Sequence, residues 1–148
     1  ALEFSSNELR AEKEIVLAAV KENDWAFAHA SDELRADKDF VLQVVSLKGR
    51  ALEFASDELK ADPEVVLAAA LEYEWAFDHA AVELISNRDF ILAAVKLHGL
   101  ALEYASEDLR SDREIVLAAV KQNAEALIYA SSDLRADREL RLSAKLGD

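Results

Sequence analysis

The sequence predicts an all-α fold: an α-solenoid of six 25-residue helical hairpins. Three observations predict it. The stretch ALEFASDELKADPEVVLAAALEYEW, from Ala51 to Trp75, recurs at Ala1, Ala26, Ala51, Ala76, Ala101 and Ala126 with no insertion or deletion. Each copy carries two apolar stretches separated by a helix-start signal. Neither stretch can stand alone, since helices of about ten residues are marginal in water, so the copies must stack to bury their apolar faces. The chain then reads as a single repeat domain, 1–148, with units 1–25, 26–50, 51–75, 76–100, 101–125 and 126–148.

The first segment of each unit, helix A, carries Ala51, Leu52, Ala55 and Leu59 with Phe54 beside them, spacings that draw one apolar stripe on a short helix. A serine follows the second alanine in most units (Ser31, Ser56, Ser106, Ser131), and Ser6 holds the same position after Ser5. Helix A therefore either runs through or ends there, leaving SDEL as a separate turn.

Helix B opens on Asp37, Asp62, Asn87, Asp112 and Asp137, whose side-chain oxygens can cap free backbone N–H groups. The first unit has Glu12 instead, a weaker cap. Pro63, the only proline, falls at the first helical position, where its missing N–H costs nothing. The helix continues as VVLAAA or IVLAAV, apolar nearly all round, which predicts an inner helix buried on every side. Gly49 and Gly99 follow it and read as left-handed terminators. Right-handed winding is expected by analogy with other helical-hairpin arrays.

The last unit replaces Val or Ile with Arg141, and Val or Ala with Lys145, which predicts a polar capping face. At the other end only Ser5 departs from the alanine pattern, a weaker cap. The chain starts on a repeat boundary and contains no methionine, so it reads as an excerpt of a longer array or as a designed repeat.

A second period overlies the first. Phe4, Phe54 and Tyr104 alternate with His29 and His79, each histidine preceded by Trp25 or Trp75, which groups the units as three 50-residue pairs. At this point the chain resembles the domain of unknown function 4116 tandem repeat family. The resemblance rests on ALxYAS…LRxDxEIVLAAVKxxG, present as ALEYASEDLRSDREIVLAAVKQN from Ala101 to Asn123, and covers essentially the whole chain. It implies helical repeats in multi-copy arrays and, as the family's name says, no established activity.

Composition limits the functions. Seventeen basic against thirty acidic side chains give a formal charge of −13, the wrong sign for a phosphate backbone, so nucleic acid is not expected and a basic protein surface is the natural partner. The absence of cysteine excludes disulfides and thiolate metal sites and points to the cytoplasm. No apolar run approaches the ~20 residues of a membrane span, and no signal peptide is present.

No catalytic, cofactor-binding or metal-ligating constellation can be assembled. His29 and His79 lie two units apart, about 20 Å at the usual helix spacing, too far to share an ion; Trp and His are expected to fill alternate layers of the stack. His98, before a glycine, reads as plain surface. Catalysis lacks a nucleophile with a base, and only three glycines leave no phosphate loop. The acidic clusters do not follow calcium-loop spacing.

Charge falls in rows: Glu8, Glu33, Glu58, Glu83, Asp108 and Asp133, with Arg10, Arg35, Lys60, Arg110 and Arg135 two positions later. The fourth unit interrupts the basic row with Ile85 and puts Val82 where its sister units are polar or charged, an apolar pair predicted to contact a partner. The expected function is a non-enzymatic scaffold for protein–protein interaction with a protein or peptide, basic by charge. The alternative is a structural array that self-associates end to end, or a designed repeat without a natural ligand.

Overall fold

A computed structural model describes residues 2–146, with side chains described at residue 8 and from 11 to 145. The Ser5 cap, with Ala1, Phe4, Leu9 and Arg10, lies outside the described side chains. All described regular structure is helical. The chain divides into two compact units, Ala1–Ala80 and Ala81–Asp148.

The first unit contains α1 (Leu2–Glu22), the 3₁₀ helix η1 (Asp24–His29), α2 (Asp32–Arg35), α3 (Lys38–Leu47), η2 (Gly49–Phe54), α4 (Asp57–Lys60), α5 (Pro63–Glu72) and η3 (Glu74–His79). The second contains η4 (Val82–Ser86), α6 (Arg88–Leu97), η5 (Gly99–Tyr104), α7 (Glu107–Arg110), α8 (Arg113–Gln122), η6 (Ala124–Tyr129), α9 (Ser132–Arg135) and α10 (Arg138–Leu146). A typical repeat is therefore three segments and not a two-helix hairpin. Helix A is a six-residue 3₁₀ helix, SDEL is a separate α-turn, and helix B is a ten-residue α-helix.

The serines decide where helix A ends. Ser31, Ser56, Ser106 and Ser131 adopt extended backbone, and each hydroxyl accepts from the N–H three residues on, at 3.3–3.4 Å. A cap of this kind starts a new helix because it satisfies one of the otherwise free donors. In the fourth repeat Ala81 stands at the cap with no side-chain bond, and Val82–Ser86 winds as a 3₁₀ helix instead. In the first repeat no break occurs, and α1 runs for 21 residues. Glu12 does not cap it. Its carboxylate instead accepts from the Ser31 N–H of the next repeat at 3.1 Å.

The expected helix-B caps are in place. Asp37 accepts from Phe40 N–H, Asn87 from Phe90 N–H and Asp137 from Leu140 N–H at 3.0–3.1 Å, while Asp62 and Asp112 accept from Glu64 and Glu114 N–H at 2.9 and 3.0 Å. Pro63 stands at the first turn of α5.

Helix B is not buried on every side. In α5 Val65, Val66, Ala69 and Ala70 are buried, Leu67 and Ala68 are half-buried, and Leu71 is 69% exposed. The pattern i, i+1, i+4, i+5 marks one wide face, and the remaining apolar residues form an outer surface. Within each unit successive B helices pack on one another, as do successive 3₁₀ helices, and each α-turn packs on the B helix that follows it.

Gly49 and Gly99 have a different role from the expected one. Among the described residues none has a positive φ, and the helices end on extended residues such as Lys48 (φ −140°, ψ 93°). A Cβ on Gly49 would collide with the Ala69 carbonyl oxygen and come within 2.8 Å of Tyr73 Cβ; one on Gly99 would lie 2.5 Å from the Ala119 oxygen. The glycines are there for close approach to the next repeat, not for a left-handed turn. Arg141 and Lys145 are exposed at the positions where Val116 and Val120 are fully buried, so the polar residues lie on an uncovered face.

Candidate functional site

Three kinds of surface feature recur along the chain: bridging ion pairs, grooves and exposed aromatics.

The ion pairs arise from a position that the row pattern above overlooks. Lys13, Lys38, Arg88 and Arg113 stand directly after the cap position, and each reaches the capping Asp of the following repeat. Lys13 meets Asp37 at 3.1 Å; Lys38 meets Asp62 at 3.0 Å and Glu64 at 2.9 Å. In the second unit Arg88 meets Asp112 at 2.7 Å and Glu114 at 2.6 Å, and Arg113 meets Asp137 and, at 2.6 Å, Glu139. The signal was available: a basic residue at this position in five of six units, with Pro63 as the exception.

These pairs hold their members in the ordinary charged state. The Arg88 guanidinium, with the Ile115 and Glu114 N–H groups, keeps the Asp112 carboxyl below the usual value against the opposing effect of partial burial. Arg113 and the Leu140 N–H do the same for Asp137. At Asp37 burial works upward but is outweighed by the Phe40 N–H and the Lys13 ammonium. Lys38, Arg88 and Arg113 are pushed up by their carboxylates.

A groove recurs between the α-turn of one repeat and the 3₁₀ helix and α-turn of the next. In the first unit it encloses about 480 Å³, lined by Asp32, Arg35, Glu53, Phe54, Asp57 and Lys60. In the second it encloses about 290 Å³, lined by Glu107, Arg110, Tyr129, Ser131, Ser132 and Arg135. Backbone pairing fixes both. The carbonyl of Arg35 accepts from Ser56 N–H at 2.9 Å, and that of Arg110 accepts from Ser131 N–H at 3.0 Å. Each groove also contains a buried guanidinium nitrogen, Arg35 Nε or Arg110 Nε, without a hydrogen-bond partner. Leaving such a donor unmatched costs roughly 1–3 kcal/mol.

The Trp/His layers do not fill the stack. Trp25 is 56% and Trp75 52% exposed, His29 is exposed and His79 half-buried. The interior at these repeats is filled by Phe27 and Phe77, and Phe27 meets Phe40 edge-on at 6.1 Å. Trp25 lies over Phe54, ring centroids 5.6 Å apart, as a surface aromatic pair. His98 is half-buried at the end of α6 and is not plain surface.

Of the proposed contact pair, Val82 is 75% exposed on η4. Ile85 is half-buried, and its carbonyl accepts from Ser106 N–H at 2.9 Å. The acidic row is open to solvent, Glu33, Glu58, Glu83, Asp108 and Asp133 all being exposed. Among the described residues no group of three metal-ligating side chains converges, and no helix is long and apolar enough to cross a membrane.

Comparison with known proteins adds one match. The family described as "Domain of unknown function (DUF4116)" matches residues 1–35, 37–85 and 87–135. The second and third segments start 50 residues apart, so one family repeat spans two of the 25-residue units. No match was found among curated proteins or among solved structures.

Proposed function

The chain belongs to the DUF4116 family, and on that premise we propose that its repeats stack as a solenoid whose grooves form a non-enzymatic, cytoplasmic scaffold for protein–protein interaction. The observation that carries this reading is the groove itself, built on equivalent residues in each unit: Arg35 with Phe54 and Lys60, and Arg110 with Tyr129 and Arg135. A structural spacer has no need of a repeated cavity lined by an aromatic ring and by charged side chains. The carboxylates and cations that bridge the repeats keep their ordinary charge states, as suits structural ion pairs.

The first-unit groove sets three carboxylates, Asp32, Glu53 and Asp57, against two cations beside Phe54. Such a site takes a basic side chain, which the net charge of −13 draws in from solution. Val82 and Ile85 form a separate apolar contact. The test is a lysine-rich peptide, selected from a random library on the immobilised chain, titrated into isotope-labelled protein. Amide shifts should move at Asp32, Glu53 and Phe54, and Glu53→Lys should abolish them. Failure to select a binder, or shifts confined elsewhere, overturns the reading. Val82→Asp with Ile85→Lys should keep the helical circular dichroism while weakening association with protein partners. Loss of helicity would sink the contact role.

A further inference from the structure

The second-unit groove differs from its sister in charge. Position by position, Ser132 replaces Asp57 and Ile128 replaces Glu53, so two carboxylates are gone while both cations remain, as Arg110 and Arg135. What is left is one carboxylate, Glu107, facing two guanidinium groups. In a chain of net charge −13 this is a local reversal of sign.

The hydrogen-bonding groups point the same way. Arg110 Nε and Arg35 Nε are both buried without a partner, but the Arg35 guanidinium is anchored through Nη2 to Asp32, and no ion pair among the described residues holds Arg110 in that way. Arg135 Nη2 donates to the Ser132 hydroxyl at 3.3 Å, a weak neutral acceptor for a cation. Tyr129 is half-buried and adds a phenolic hydroxyl to the lining. Two guanidinium forks with a phenol and a serine hydroxyl offer more donors than the two oxygens of a carboxylate can use. They match the several oxygens of a phosphoryl group, which arginine recognises bidentately.

We propose that the groove between α7 and α9 binds a phosphoryl group through Arg110 and Arg135. The inference deepens the groove reading above and rests on it. The ligand is either free phosphate or a phosphorylated side chain of a partner, and the same chemistry recognises both. Seating the anion supplies the acceptor that Arg110 lacks and neutralises the two facing cations.

The test is calorimetric and NMR titration of the whole chain with inorganic phosphate, with a phosphoserine peptide, and with the same peptide carrying serine or glutamate. Saturable binding of phosphate or of the phosphoserine peptide, with shifts at Tyr129 and Ser132, is expected. A tenfold preference for the phosphopeptide identifies a partner's side chain, and equal per-phosphate affinity identifies the free anion. Arg110→Gln should weaken binding at least tenfold and Arg35→Gln less than twofold. If Arg110→Gln fails to fold, Ser132→Asp restores a carboxylate that three other repeats carry here, as Asp32, Asp57 and Glu107, and should abolish binding with helicity intact. Equal binding of the glutamate peptide, equal loss in Arg35→Gln, or no binding of either phosphoryl probe overturns the proposal. If the lysine-rich peptide still binds the first-unit groove in that last case, the scaffold reading stands and only the phosphoryl assignment fails.

Discussion

Gly49 donates its backbone N–H to the Glu72 carboxylate at 2.5 Å, reaching 23 residues along the chain into the next repeat. Gly99 makes the same bond to the Gln122 side-chain oxygen, and Gln122 in turn donates to the Leu97 carbonyl at 3.2 Å. Glycine and acceptor sit in alternate repeats, which gives the 50-residue period a physical cause.

Gly49→Ala should destabilise the chain by about 1–3 kcal/mol, the usual cost of overpacking, because the added methyl meets the Ala69 carbonyl. Glu72→Ala should cost less, about 1 kcal/mol, as the bond is only part-buried and its acceptor is an exposed side chain. Urea unfolding followed by circular dichroism measures both, and an order in which Glu72→Ala is the more damaging would contradict the close-approach role.

Ala81→Ser should stabilise by about 1 kcal/mol and convert the 3₁₀ turn Val82–Ser86 to the α-turn of the other repeats, since it restores the missing cap. Ser56→Ala should do the reverse to α4. Carbonyl-carbon chemical shifts of the two turns report the change, and unaltered shifts in both variants would remove the serine from its assigned role.

Asp37, Asp112 and Asp137 have carboxyls held below the ordinary value of 3.8 in the folded chain. Their contribution to stability is therefore fully present above that value and disappears as pH falls through the lower folded values. Stability should be level from neutral pH to about pH 5 and drop below about pH 4. Asp112→Asn should remove part of this acid dependence while keeping a cap. Lys38 has the opposite sign: its contribution is complete below its ordinary value of 10.5 and is lost at more alkaline pH.

The Arg88–Asp112 and Arg113–Asp137 pairs sit among exposed side chains, where ion pairs contribute little and salt screens them. A double-mutant cycle on Arg88 and Asp112 should give a small favourable coupling that disappears in 1 M salt, where the Debye length is about 3 Å. A coupling insensitive to salt would mean that the pair is buried in solution.

Much of this was legible because it is local. The capping role of Asp37, Asp62, Asn87, Asp112 and Asp137 depends on groups two or three residues away, and the repeat made the signal visible several times over. The rest depends on distance in sequence. A six-residue segment such as Gly49–Phe54 carries too few apolar positions to separate 3₁₀ from α periodicity. Gly49 looked like a terminator because its true neighbours, Ala69 and Tyr73, belong to the next repeat. Trp25 and Trp75 read with their histidines as alternate layers of the stack, yet Phe27 and Phe77, two residues on, take the inward direction. The grooves were invisible as grooves, although Ser132 and Ile128 already departed from the repeat in the sequence.

The central claim is that within each compact unit a repeat is held by its neighbours through contacts such as Gly49–Glu72. Native-state hydrogen exchange on Gly49→Ala tests it most directly. The account predicts that protection falls chiefly at the amides of α3 and α5, the helices joined across Gly49, with those of α8 close to wild type. An equal fall in every helix would contradict it.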